Sequence, residues 1–228
     1  MSGQLTLPVH TRRAFDRVAA DLQRVFGDRF VALVASGRRA SVAFAATVTA
    51  SDLRAISALT DLWHRDDVET PLLITPDEFR RSLDIFPVEY QAVLDRHLVI
   101  AGDPPFAGVA VDPIHLRRAC EVQAKSHLIH LRQGWMTAGG HDDRLADLIA
   151  ESAEPLRALL ADVARLHGIS GADAPAAGAR AAALDTALVQ EVIALGTHPE
   201  RASHLVARLP DYLATSERLW AFVDSWTS

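Results

Sequence analysis

Lysine is nearly missing from this chain. Of its 23 basic residues only Lys125 is lysine, so a phosphate-loop lysine or a Schiff-base lysine has a single position open to it. Cysteine is as scarce. Cys120 stands alone, which excludes an intramolecular disulfide and a cysteine-built zinc cage. There is no surplus of positive charge. The formal net charge of -6 argues against a general nucleic-acid surface and against an anionic membrane surface. Long apolar runs are absent too. The longest, Phe30–Ala35 and Val42–Ala50, fall far short of the roughly 20 residues a bilayer-spanning helix needs. No apolar core of signal-peptide length occurs between Met1 and Thr11, so the expected compartment is the reducing cytoplasm. Gly-x-Ser-x-Gly, Gly-x-Gly-x-x-Gly and His-Glu-x-x-His patterns do not occur.

What is present suits a globular protein. Hydrophobic residues make up 49% of the 228 and charged residues 23%, which excludes extensive disorder. A chain of this length buries roughly 70–75% of its unfolded surface, in one large domain or two small ones.

The first part of the chain alternates helical and strand patterns. Phe15, Val18, Leu22, Val25 and Phe26 share one helical face, predicting a helix over Thr11–Phe26 with Thr11 as N-cap and Gly27 as stop. Phe30–Ala35 reads as a buried strand, Ser36-Gly37-Arg38-Arg39 as a turn, and Ala40–Val48 as a second strand. Thr49-Ala50-Ser51-Asp52 opens a helix with Leu53, Ile56, Leu59, Leu62 and Trp63 as its apolar stripe. Leu72-Leu73-Ile74 reads as a short strand. Thr75-Pro76-Asp77-Glu78 starts a short helix ending near Leu83, with a cap, a proline in the first turn and acids at the positive end of the dipole. Phe86–Leu94 and Leu98-Val99-Ile100 are expected strands, followed by a turn at Gly102-Asp103-Pro104-Pro105.

From Asp112 the pattern is helical. One helix runs to about Met136 and stops at Gly139-Gly140; another runs from Asp142 to His167 with Pro155 inside it. Gly168–Gly178 reads as a connection rich in Gly, Ala and Pro, and Ala181–Leu195 and Glu200–Trp226 as further helices. The expected class is α+β: residues 1–110 form an α/β domain with a mixed sheet, and 111–228 an all-helical bundle.

The N-terminal order helix, strand, turn, strand, helix resembles the nucleotidyltransferase fold of the kanamycin-nucleotidyltransferase and polymerase-beta type. Members carry a Gly-Ser turn after the first strand and two aspartates, one residue apart, on the second. Val34-Ala35-Ser36-Gly37-Arg38-Arg39-Ala40 is similar to the first element, and Ser41-Val42-Ala43-Phe44-Ala45 to the second. Ser82–Tyr90, His97–Pro104 and Leu128–Gln133 also resemble stretches of such proteins, so the likeness covers about residues 15–135.

That resemblance implies a chemistry which this sequence departs from. The family's two aspartates, with a third acid, hold two divalent cations that clamp a triphosphate and activate the attacking hydroxyl. The matching positions here are Val42 and Phe44, which offer a hard cation no oxygen. Asp84 and Glu89 are weak candidates for a substitute catalytic acid; capping a helix or facing water is their plainer reading. Asp95 stands as a further candidate for the third acid. Ala35 replaces the glycine of the turn, while Ser36 keeps the hydroxyl. Ser36, Gly37, Arg38 and Arg39 are therefore the candidate ligand-binding residues, with a solvated turn as the plainer reading.

Other groupings have ordinary explanations. Asp66, Asp67 and Glu69 suit a solvated loop. His127 and His130 lie three apart on a helix, with His115 and Cys120 earlier in it, but no third ligand has metal-site spacing. His141-Asp142-Asp143 reads as a helix start. Trp220 and Trp226 suit either core packing or a homodimer contact.

The sequence thus implies a catalytically inactive nucleotidyltransferase-like protein with a binding or regulatory role. That role runs through the cleft between the domains or through oligomerisation, and the partner is an unidentified small molecule or protein. No cofactor and no metal is expected; magnesium and a nucleoside triphosphate enter only under the first alternative, an active enzyme using non-standard acids. The second alternative is a structural interaction protein with a filled cleft.

Overall fold

The computed structural model describes residues 5–226. The chain divides into two compact units, Met1–Asp112 and Pro113–Ser228.

The first unit is α+β. Helix α1 (Val9–Phe26) is followed by strands β1 (Phe30–Ala35) and β2 (Ser41–Ala45), helices α2 (Ala50–Ser57) and α3 (Thr60–Arg65) and strand β3 (Leu72–Ile74). Helices α4 (Pro76–Arg81) and α5 (Pro87–Asp95) then lead to strand β4 (Leu98–Gly102). The four strands form one mixed sheet in the order β3-β2-β1-β4. β1 pairs antiparallel with β2 and β4, and β2 pairs parallel with β3.

Side chains alternate across a strand, so the register sorts them between two faces. Leu33 and Ala35 of β1 lie opposite Ala43 and Ser41 of β2. Leu33, Ala35, Ala43 and Ala45 join the core formed by Phe15, Val18 and Leu22 of α1 with Ile56 and Trp63. Val34 and Ala32 lie opposite Val42 and Phe44 on the other face. There Phe44 meets Phe79 of α4 and Phe106 edge-on, at 5.4 and 5.7 Å between ring centres. Phe79 in turn meets Tyr90 of α5 at 4.8 Å. All five residues of β2 are buried, so both faces of this strand are covered.

Local chemistry sets the helix starts. Thr49 accepts from the Asp52 amide while Asp52 accepts from the Thr49 amide, and Thr75 and Glu78 repeat this reciprocal cap. Asp52 also takes both guanidinium nitrogens of Arg29 at 2.8 Å. These bonds hold the Asp52 carboxyl far below the usual carboxylate range, Arg29 contributing most and Thr49 next. At the end of β4, Gly102 has φ +75°, and a Cβ there would stand 2.0 Å from the Val31 carbonyl oxygen. Only glycine lets β4 approach β1 so closely.

The second unit is helical. α6 (Pro113–Ala138) and α7 (Asp142–Leu166) are followed by α8 (Ala174–Ala181), α9 (Thr186–Ala194), a 3-10 segment (Pro199–Arg208) and α10 (Leu209–Ser225). α7 packs against α6, α8, α9 and the 3-10 segment, and α10 packs on α6. Gly178 lets α8 lie on α7: a Cβ would stand 2.0 Å from the Leu160 carbonyl oxygen. No helix among the described residues is long and apolar enough to cross a membrane.

Several sequence expectations need correction. Phe86–Leu94, expected as a strand, is helix α5, because Pro87 opens it and Pro87, Tyr90 and Val93 bury one helical face. The second strand ends at Ala45, short of Val48. Thr11 is no cap; α1 begins at Val9 and buries Thr11 within it. The helix expected through Trp63 is two, broken at Ala58 and Leu59, and Leu53 and Leu62 of its supposed stripe are exposed. Gly168–Gly178 contains most of α8, and the helix expected over 200–226 opens as a 3-10 segment.

Candidate functional site

The turn after β1 is closed by its own backbone. The amides of Ser36 and Gly37 both donate to the Ala40 carbonyl, at 3.0 and 3.2 Å. Neither amide is therefore free for a phosphate oxygen. Gly37 keeps φ outside the left-handed region, and a Cβ there would meet nothing closer than 3.7 Å. Arg38 is exposed. Arg39 lies 3.1 Å from Asp67 and 3.7 Å from Glu69, so acids of the following loop already answer its charge.

Beside this turn lies a cavity of about 380 Å³. Ser36 and Val42 line it together with Glu89 and Tyr90 of α5 and Leu72 of β3. Glu69 and Thr70 close another side. The structure thus brings Ser36, Val42 and Glu89 together and adds Glu69, which the sequence suggested only as a loop residue. Asp84 is exposed in the turn between α4 and α5 and does not line the cavity. Phe44 sits deeper, fully buried among Phe79 and Phe106. The lining is rich in acceptors: two carboxylates, Glu69 and Glu89, and the hydroxyls of Ser36, Ser41, Thr70 and Tyr90. It suits a ligand that brings N–H or O–H donors. Ser41 differs from Ser36 and Thr70 in being buried. Its hydroxyl is the one buried side-chain polar atom without a hydrogen bond among the described residues, and Ser41 stands opposite Ala35 in the sheet.

A larger cavity, about 800 Å³, opens between α6 and α7. Leu131, Leu148, Pro155 and Leu159 give it apolar walls, while Gln123, Ser126, His127, Glu151 and Ser152 bring polar groups to it. Beneath it runs a buried chain of hydrogen bonds. His127 Nε2 lies 2.9 Å from the Tyr212 hydroxyl, which lies 2.9 Å from Ser152 Oγ. Ser152 Oγ donates to the Ile149 carbonyl at 2.7 Å. Because the Ser152 proton is used there, Ser152 accepts from Tyr212, and Tyr212 accepts from His127 Nε2–H. Burial pushes the His127 imidazole down to about 4, with His130 adding a smaller push the same way. His127 is therefore neutral at pH 7, with its proton on Nε2 and Nδ1 a bare acceptor. Burial also raises the Tyr212 phenol well above its ordinary value.

The remaining candidates fall into structural roles. His130 is exposed and bonded to Ser126 on its own helix. Cys120 is fully buried, and burial pushes its thiol up to about 12, which leaves it inert. Trp220 lies under Lys125, whose Nζ is 3.5 Å from the ring centre, and Trp226 meets His167. Among the described residues no three His, Cys, Asp or Glu stand together as a metal-holding group. Tyr212 and Ser152 gave no sequence signal, since Tyr212 is 85 residues from His127. No family model, curated protein or solved structure matches the chain.

Proposed function

We propose that this chain is a non-catalytic binding protein whose first unit is a nucleotidyltransferase-like α/β domain without transfer chemistry. The observation that carries this reading is the state of β2. At the two positions where that fold presents its metal-holding carboxylates stand Val42 and Phe44, both buried, with Phe44 locked edge-on against Phe79 and Phe106. Hydrocarbon cannot replace the oxygen ligands of a hard cation. Each lost metal role removes several kcal/mol of transition-state stabilisation, at tenfold in rate for about every 1.4 kcal/mol.

The cavity beside Ser36 fits the binding role. It remains open, and Glu69 and Glu89 furnish acceptors for a donor-bearing or cationic small molecule. Incubation with labelled nucleoside triphosphates, Mg²⁺ or Mn²⁺ and a panel of amine and hydroxyl acceptors tests the reading. The expected result is no nucleotide transfer above background. Sustained turnover that disappears in Glu89→Gln would overturn it and favour an enzyme with non-standard acids.

A further inference from the structure

The α6–α7 cavity lies wholly within the helical unit and has no part in the reading above. Its volume, about 800 Å³, falls in the range that holds a small organic ligand. It combines features that a mere packing fault lacks.

Leu131, Leu148, Pro155 and Leu159 give it apolar walls, and Gln123, Ser126, Gln133 and Thr137 stand among them as neutral polar groups. No lysine or arginine lines it, so an anion would find no counter-charge there. The one carboxylate at its edge, Glu151, is exposed, where water screens it. Two further observations concern the polar floor. His127 is 8% exposed, and its Nε2 is committed to Tyr212. Its Nδ1 has no hydrogen-bond partner among the described residues, yet it is not among their fully enclosed, unpartnered atoms. That nitrogen therefore retains access, and His127 is one of the residues that line this cavity. In addition, Pro155 has no N–H to give the Glu151 carbonyl, and both residues line the cavity. A proline inside a 25-residue helix sits beside an open space instead of a packed wall.

We propose that the α6–α7 cavity is a binding site for a small, uncharged, mainly apolar molecule that donates one hydrogen bond to His127 Nδ1. The Tyr212–Ser152–Ile149 chain is its positioning device: it holds the imidazole in the tautomer that offers an acceptor. The apolar walls take up the ligand's hydrocarbon body, and the unpartnered Nδ1 at the floor selects for a hydroxyl or N–H at one end.

Indole and benzofuran test this, because they share shape and differ in one N–H. Titration of the full chain by calorimetry should show indole binding and benzofuran binding roughly fivefold more weakly, the worth of one neutral hydrogen bond. The imidazole Nδ1 resonance of His127 should move on addition of indole and stay in place with benzofuran. His127→Phe should bring the two probes to equal affinity. Should that variant fail to fold, Ala158→Trp, at an exposed position on the cavity wall, fills the space and should abolish binding of both. Equal affinity of the two probes for the wild type, an unmoved Nδ1 resonance, undiminished binding to Ala158→Trp, or no indole binding at all would each overturn the proposal.

Discussion

His127 makes the stability of the helical unit depend on pH in a defined direction. In the unfolded chain its imidazole takes up a proton near the ordinary 6.5; in the folded protein burial postpones this to about 4. Between those values the unfolded state binds more protons than the folded one, so stability falls as pH falls. Above 6.5 the contribution is fully present, and below about 4 it is fully lost. At about 1.4 kcal/mol per pH unit, the whole window is worth about 3 kcal/mol. Urea unfolding of the wild type and of His127→Phe, followed by circular dichroism from pH 7 to pH 4, isolates the effect, because only the wild type carries the titrating group. The stability of the wild type relative to the variant should fall by about 3 kcal/mol from pH 7 to pH 4. Parallel curves would refute the reasoning, since they would mean that the imidazole is as free to ionise folded as unfolded.

Other perturbations follow from particular contacts. Gly178→Ala should destabilise the helical unit by about 3 kcal/mol or more, because its Cβ would strike the Leu160 backbone, whereas Gly134→Ala should be milder, since its Cβ meets only the end of the Leu148 side chain; thermal melts of both compare them. Ser41→Ala should raise stability by about 1 kcal/mol by removing an unpartnered buried hydroxyl, measured by urea midpoint. Asp52→Asn should lower the melting midpoint at neutral pH. That loss should begin to fade as pH drops to the ordinary carboxylate range, where the unfolded chain takes up the proton first, and should vanish only at the far lower pH at which Arg29 and Thr49 let the folded Asp52 carboxylate protonate.

The parts of the fold that local chemistry decides were legible in the sequence. Phe30–Ala35 reads as a strand because it is apolar on both faces, and the structure places β1 over those residues. The Thr75-Pro76-Asp77-Glu78 start reads as a cap, and the reciprocal bonds are present. Misreadings arose where one pattern serves two structures. Phe86, Val88, Tyr90, Ala92 and Leu94 alternate like a strand, yet Pro87, Tyr90 and Val93 are the residues a helix buries. Gly178 reads as a breaker in isolation; it is there because α7 passes too close for any side chain. The site was less legible still. Glu69 and Glu89 meet at one cavity through tertiary packing, and the His127–Tyr212–Ser152 chain joins three helices, which no spacing rule reveals.

Whether β2 can grip a divalent cation is the question on which the functional reading turns. Manganese is paramagnetic and broadens the signals of nuclei near it, so a titration of Mn²⁺ with and without a nucleoside triphosphate, read at the Val42 methyl resonances, answers it. Those signals should stay sharp at concentrations that saturate ordinary enzyme sites. Selective broadening at Val42, reversed by excess Mg²⁺, would show a metal centre beside the strand and contradict the account.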